Sequence, residues 1–164
     1  MSGQMESKGM QVVIFFLGGE EYCVDISIVR EIIRMVDLTR IPKLPEFIEG
    51  VINLRGQITT VIDLRKRFEM EPVVKDNNRI IIVDLKGEPI GIIVDSVLEV
   101  MTVPPGQIDD MPSIKHARTQ EYLKGICKVD DRILILLDLD KILTELEFAQ
   151  TETIKEDLEI PDTQ

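Results

Sequence analysis

Tryptophan is absent from this 164-residue chain, histidine occurs once, cysteine twice, and two Tyr and five Phe are the remaining aromatics. So few flat rings leave no stacking platform for a single nucleic-acid strand. Positive charge is scarce as well: 19 Lys and Arg stand against 30 Asp and Glu, a net charge of −11. Nucleic-acid binding draws its affinity from cations clustered on phosphates, so this balance argues against it. An acidic surface favours solubility and partners with basic patches. With His116 alone, metal centres built from several imidazoles are excluded, and a serine–histidine relay would depend on one residue in the polar run PSIKHARTQ. Glycine-rich phosphate loops are missing too, because Gly18-Gly19 lacks both the spacing and the following Lys-Ser/Thr. Asp109-Asp110 lacks the regularly spaced oxygens of a calcium loop. No run reaches the ~18 apolar residues of a membrane span, and the start MSGQMESKG has no signal-peptide core. A cytoplasmic protein without membrane insertion, cofactor or metal is expected.

What the chain does have is aliphatic residues, within a 44% hydrophobic share. A chain of this length can bury roughly 70% of the surface it exposes when unfolded, so the core needs no metal or disulfide. Cys23 in EEYCVDI and Cys127 in KGICKVD sit in apolar runs. They read as small buried hydrophobes; a disulfide is the alternative, although nothing else suggests a secreted scaffold. Residues 1–10 read as a flexible N-terminus. From Gln11 the chain consists of short runs rich in Val and Ile, among them QVVIFFL, EEYCV, GVINL, QITTVIDL, RIIIVDL, PIGIIVD and RILILLDL. These are the marks of strands packed on a core.

Two stretches show helical spacing. In DISIVREII, Asp25 is placed to cap, with Ile26, Val29, Ile32 and Ile33 on one face. In 139–148, Leu139, Ile142, Leu143 and Leu146 form a second apolar stripe. Residues 149–164 are charged and poorly periodic, and are expected to form a disordered acidic tail.

The chain also repeats itself. Moving GVINLRGQITTVIDL (50–64) along by 75 positions places it without a gap on GICKVDDRILILLDL (125–139). At an offset of 68, LGGEEYCV (17–24) falls on LKGEPIGI (85–92), and Val29 and Glu31 fall on Val97 and Glu99. A duplication follows, with halves at roughly 11–67 and 78–140, and short strands at this density suggest two small barrels. Equivalent aspartates in two halves raise the possibility of an aspartyl-type hydrolase using Asp63 and Asp138, whose like charges would split their pKa values. Against this, each is followed by a bulky Leu and precedes a helical pattern, where Asp serves as an N-cap. A peptide-binding double barrel is a further alternative. The repeat also sets Asp130-Asp131 where the first copy has Arg55-Gly56. That makes Arg55 a residue the barrel does not require, read either as a solvated turn residue or as a docking residue.

Four segments in order carry a resemblance: FFLGGEEYCVDISIVREII, EFIEGVINLRGQITTVIDLRKRF, GIIVDSVLEVM and EYLKGICKVDDRILILLDLDKIL. Together they resemble the CheW family of chemotaxis coupling proteins over residues 11–148. The resemblance implies a mainly β fold of two intertwined five-stranded SH3-like barrels with short helices. It implies a free-standing, non-catalytic adaptor linking the cytoplasmic hairpin tip of chemoreceptors to the regulatory domain of the histidine kinase CheA, at membrane-associated arrays. Carried onto this chain, it points to Val29, Glu31, Ile32, Gly50, Arg55, Ile80, Val97 and Val100 as partner-binding positions. Glu31 and Arg55 are expected to pair or to bracket a groove rim, with Val29, Ile32, Val97 and Val100 lining the groove.

Overall fold

A computed structural model describes residues 9–109, 122–143 and Glu147. Among these residues eleven strands follow one another: β1 (Met10–Leu17), β2 (Glu20–Asp25), β3 (Val29–Arg34), β4 (Ile48–Leu54), β5 (Gln57–Asp63), β6 (Arg79–Leu85), β7 (Glu88–Val94), β8 (Ser96–Val103), β9 (Ile108–Asp109), β10 (Leu123–Val129) and β11 (Arg132–Leu137). One helical turn, α1 (Leu64–Arg67), follows β5. The mainly β expectation holds.

The strands form two sheets, in the orders β8-β1-β2-β11-β10-β9 and β3-β6-β7-β5-β4. The second has the five strands expected of a barrel. The first has six, because the two-residue β9 pairs with β10. Each sheet curls around its own apolar interior. Val12, Ile14, Cys23, Val103, Cys127, Leu134 and Leu136 fill the first; Ile52, Val61, Ile80, Ile82 and Ile93 fill the second. A larger cluster lies between the two sheets, including Phe15, Tyr22, Ile62, Phe68, Ile81, Ile92 and Leu137. Strand alternation explains the arrangement: on β6, Ile80 and Ile82 face the barrel interior while Ile81 and Val83 face the other sheet. Strands buried on both faces need near-continuous runs of Val and Ile, as RIIIVDL and PIGIIVD supply.

The sheets do not follow the repeat. The hairpin β1–β2 joins β8–β11 in the first sheet, through a parallel pairing of β2 with β11. The hairpin β6–β7 joins β3–β5 in the second, through a parallel pairing of β7 with β5. Each barrel thus takes its leading hairpin from one part of the sequence and its remaining strands from the other.

Local geometry repeats with the sequence. Register shifts fall between Ile48 and Gly50 and between Leu123 and Gly125, 75 residues on. A β-carbon on Gly50 (φ 152°) would lie 2.3 Å from the Thr39 carbonyl oxygen, and one on Gly125 would lie 2.9 Å from that of Asp109. Each glycine therefore admits the segment that crosses β4 or β10 at the barrel edge: Thr39 bridges Val51, and β9 pairs with β10.

The stretch expected to be a first helix is corrected. Asp25 caps only a single 3-10 turn, Ile26–Ile28, accepting a hydrogen bond from the Ser27 amide at 2.9 Å. Val29–Arg34 is strand β3. Its β-branched Val29, Ile32 and Ile33 lose little side-chain freedom in a strand and more in a helix, and β3 pairs antiparallel with β6 along its length. At the other end Asp138 caps the 3-10 turn Leu139–Lys141, accepting from the Asp140 amide at 3.1 Å. Ile142 and Leu143 are buried beyond it. Of the expected helix 139–148, residues 144–146 and 148 lie outside the described residues, as do residues 1–8, Asp110, His116 and 149–164. No helix among the described residues is long and apolar enough to cross a membrane.

Candidate functional site

The expected contact residues separate by depth. Val29 on β3 and Val97 on β8 occupy equivalent positions: Val29 pairs with Val83, Val97 with Phe15, and all four positions keep the 68-residue offset. Both valines are half-buried and pack against the one cluster between the barrels. Each is followed by a bulged residue, Arg30 or Leu98, which turns the next side chains outward. Ile32 and Val100 accordingly stand out at 39% and 50% exposure, with Leu98 at 40%. The helical face that would have aligned Val29 with Ile32 does not exist; the two residues differ in depth on one bulged strand.

Gly50 and Ile80 are buried. Ile80 is fully enclosed in the second barrel and offers a partner no surface. Gly50 has the close approach of Thr39 as its structural reason.

Glu31 and Arg55 meet. The Arg55 guanidinium donates to both Glu31 carboxylate oxygens, at 2.5 and 2.6 Å, the two-pronged geometry that suits a planar guanidinium. Arg55 projects from the turn between β4 and β5, its side chain 69% exposed. Asn53 shapes that turn by accepting from the Gly56 amide at 2.8 Å. Both central residues have positive φ, 53° for Arg55 and 84° for Gly56, as a tight hairpin of this hand requires. The hydrogen bonds from Arg55 hold the Glu31 carboxyl below the ordinary glutamate range, and Glu31 in turn raises Arg55.

A second clasp of the same kind was not anticipated. Glu99 on β8, equivalent to Glu31, accepts from Arg132 Nη1 at 2.9 Å, and the same guanidinium reaches Glu21 of β2 at 2.7 Å. Arg132 opens β11, two residues past the position that matches Arg55. The ungapped repeat hid it by aligning Arg55 with Asp130. An arginine near this hairpin tip is therefore common to both barrels, which corrects the expectation that the barrel has no use for one. What sets Arg55 apart is its exposure.

Sequence reading also missed a strut between the barrels. Arg65 of α1 is 4% exposed and bonds Asp63 through Nε at 3.0 Å and Asp95 through Nη1 at 3.1 Å. It also donates to the Val73 carbonyl at 2.9 Å. Asp95 receives the Gly18 amide from the β1–β2 turn at 2.9 Å, so one guanidinium ties the second barrel to the first. Burial works against the Arg65 charge, but Asp63 and Asp95 more than compensate and hold its pKa up. Asp63 caps α1 through the Arg65 amide as well. A hydrolytic pair of Asp63 and Asp138 is therefore not assembled: Asp63 is bound to a guanidinium, and Asp138 caps its own turn. A signal did exist in the Asp-Leu-Arg order, which puts a cation two residues after the capping carboxylate.

Cys23 and Cys127 are free, buried thiols inside the first barrel.

Comparison with known proteins agrees with this geometry. Residues 11–147 match the family model of the CheW-like domain. The chain is 40% identical over 150 residues to chemotaxis protein CheW of Klebsiella aerogenes, covering 91% of this chain and 90% of that one. It is 35% identical over 136 residues to chemotaxis protein CheW of Bacillus subtilis, covering 82% and 87%. Among solved structures, the scaffolding protein TtCheW of Thermoanaerobacter tengcongensis superposes with a TM-score of 0.79 at 39% identity, over 85% of this chain and 95% of that one.

Proposed function

Because the chain belongs to the CheW-like domain family and is a non-catalytic chemotaxis scaffold, we propose that it couples chemoreceptors to the histidine kinase CheA. The carrying observation is the seam between the barrels. Val29 and Val97, from different barrels, are each half-buried against the apolar cluster between them, and Glu31, two residues from Val29 on β3, is clasped by the exposed Arg55 of the β4–β5 turn. An amphipathic helix from a receptor's cytoplasmic hairpin tip would lay its apolar face along such a seam. Each Val-sized side chain buried contributes roughly 1.5–3 kcal/mol before association costs. A few anchors of that size give modest affinity per contact, which an array raises through multivalency. The exposed clasp adds orientation and partner choice more than strength. The regulatory domain of CheA is the second partner, engaged through the barrel ends, and the site of action is the cytoplasmic face of receptor arrays.

The test is a pull-down of the full chain, at micromolar concentration, with the regulatory domain of its cognate CheA and separately with a receptor signalling fragment. Binding to both is expected. Val29→Asp and Arg55→Asp should weaken receptor capture roughly tenfold or more while circular dichroism shows both variants still folded. Failure of the parent chain to hold the kinase domain would overturn the reading. A variant that melts early removes that residue from the contact surface.

A further inference from the structure

At one end of the second barrel the chain gathers five cations, of which two, Arg34 and Lys75, are matched by none of its carboxylates among the described residues. A cleft of about 780 Å³ there is lined by Arg34, Arg40, Arg65, Lys66 and Lys75. Three acids share the lining. Arg65 is held by Asp63 and, from beside the cleft, by Asp95; Glu49 is shared by Arg40 and Lys66, at 3.4 and 2.5 Å; Asp76 stands exposed, and Arg34 and Lys75 have no ion pair among the described residues. Arg34 pairs across the sheet with Arg79, like charge opposite like charge. Such a pair is unfavourable unless an anion lies over it. Arg79 spends its hydrogen bonds on the carbonyls of Asp76 and Asn78, at 2.9 and 2.8 Å. The two unmatched cations, Arg34 and Lys75, stand in a chain whose net charge is −11.

Between the cations lie apolar side chains, with Met35 and Val74 at 39% and 91% exposure. No glycine lines the cleft to build the nest of backbone N–H groups that a phosphate favours. An occupant that satisfies both features carries carboxylates interleaved with aliphatic side chains. The chain contains such a segment at 152–162, ETIKEDLEIPD, with five acids, one lysine, and Ile154, Leu158 and Ile160 among them. Those residues lie outside the described ones, but Glu147 does not. Its carboxylate is held by Arg67 of α1 at 3.0 Å, and the neighbouring Lys66 lines the cleft. The four residues 148–151 can span roughly 13 Å, and tethering at this distance supplies an effective concentration on the order of millimolar. The geometry points to this barrel end as a docking surface for an acidic, aliphatic-rich segment, and its occupant is residues 152–162 of the same chain.

Carbodiimide crosslinking of the full chain at low ionic strength, followed by peptide mapping, tests it. Lys66 or Lys75 should join Glu156, Asp157 or Glu159 within one chain. That yield should fall several-fold in salt of about 1 M, where screening shortens to about 3 Å. The reversal Glu156→Lys/Asp157→Lys/Glu159→Lys should speed amide exchange in residues 72–78 several-fold, and adding Arg34→Glu/Lys75→Glu should restore protection. Circular dichroism checks that each variant folds. Crosslinks spread over unrelated lysines, or exchange unchanged by the reversal, would overturn the assignment. In a mixture of isotope-labelled and unlabelled chains, crosslinks joining two copies would overturn it as well, because they would make the occupant a second molecule.

Discussion

Arg55 holds a left-handed backbone conformation, φ 53°, at a turn where glycine or asparagine meets less strain. Its guanidinium is the compensating feature, and the hairpin itself can form without it. Arg55→Gly should therefore keep or slightly raise the melting temperature, while capture of a receptor fragment falls about tenfold; calorimetry and a pull-down on the same preparation check both. The clasp also has a defined pH sign. The folded-state value of Glu31 is depressed by Arg55, so its contribution is present above the unfolded value of about 4.3. It is lost only as pH falls through the lower folded value, and mildly acidic buffer leaves it intact. Carboxyl-detected NMR should find Glu31 titrating below an ordinary glutamate in the parent and near one in Arg55→Gln. The buried guanidinium behaves differently. Arg65→Met would strand Asp63, 4% exposed, without its ion partner, and breaking a buried pair costs about 3–5 kcal/mol. Urea denaturation should show a loss of that size, with part recovered in the double variant Asp63→Leu/Arg65→Met.

At the scale of elements, the two barrel edges are closed by the same device at different tolerances. The first barrel leaves 2.9 Å between a Gly125 β-carbon and the Asp109 carbonyl oxygen; the second leaves 2.3 Å between a Gly50 β-carbon and that of Thr39. Neither neighbour can swing aside, because both are backbone. Gly50→Ala should destabilise by about 2–3 kcal/mol and Gly125→Ala by less, a ranking that thermal melts of the two variants will check. The β3 segment shows why an element can be misread. Its apolar spacing fits a helix, yet its β-branched side chains and its pairing along β6 make it a strand. With that change, Ile32 no longer shares a face with Val29 and stands at the surface.

For the whole molecule, the exchange of leading hairpins between the barrels fixes the unfolding behaviour. Neither barrel can be completed from residues 11–67 or 78–140 alone, because each needs a hairpin from the other stretch. The largest cluster lies between the barrels, and Arg65 bridges them. Unfolding should proceed in one step, with calorimetric and van't Hoff enthalpies equal. Two separate transitions would show that the barrels are independent.

Much of this protein was legible in its sequence because strand patterning and turn chemistry are local. Alternating Val and Ile runs marked the strands, the 75-residue and 68-residue offsets marked the duplication, and the four family segments marked the fold. Matched family positions led to the expectation that Glu31 and Arg55 pair or bracket a groove rim, and they pair. Depth was not legible, because an aliphatic residue has the same signature inside a barrel, between barrels or on a seam. Ile80, Ile81 and Val29 look alike in sequence and occupy those three places. The Arg132–Glu99 clasp and the Arg65 strut were hidden for a related reason: each joins groups from strands or turns distant along the chain. Sequence determined which segments become strands and which residue types sit at their turns. Only the tertiary structure decided which carboxylate each guanidinium reaches, because that depends on which hairpin completes which barrel.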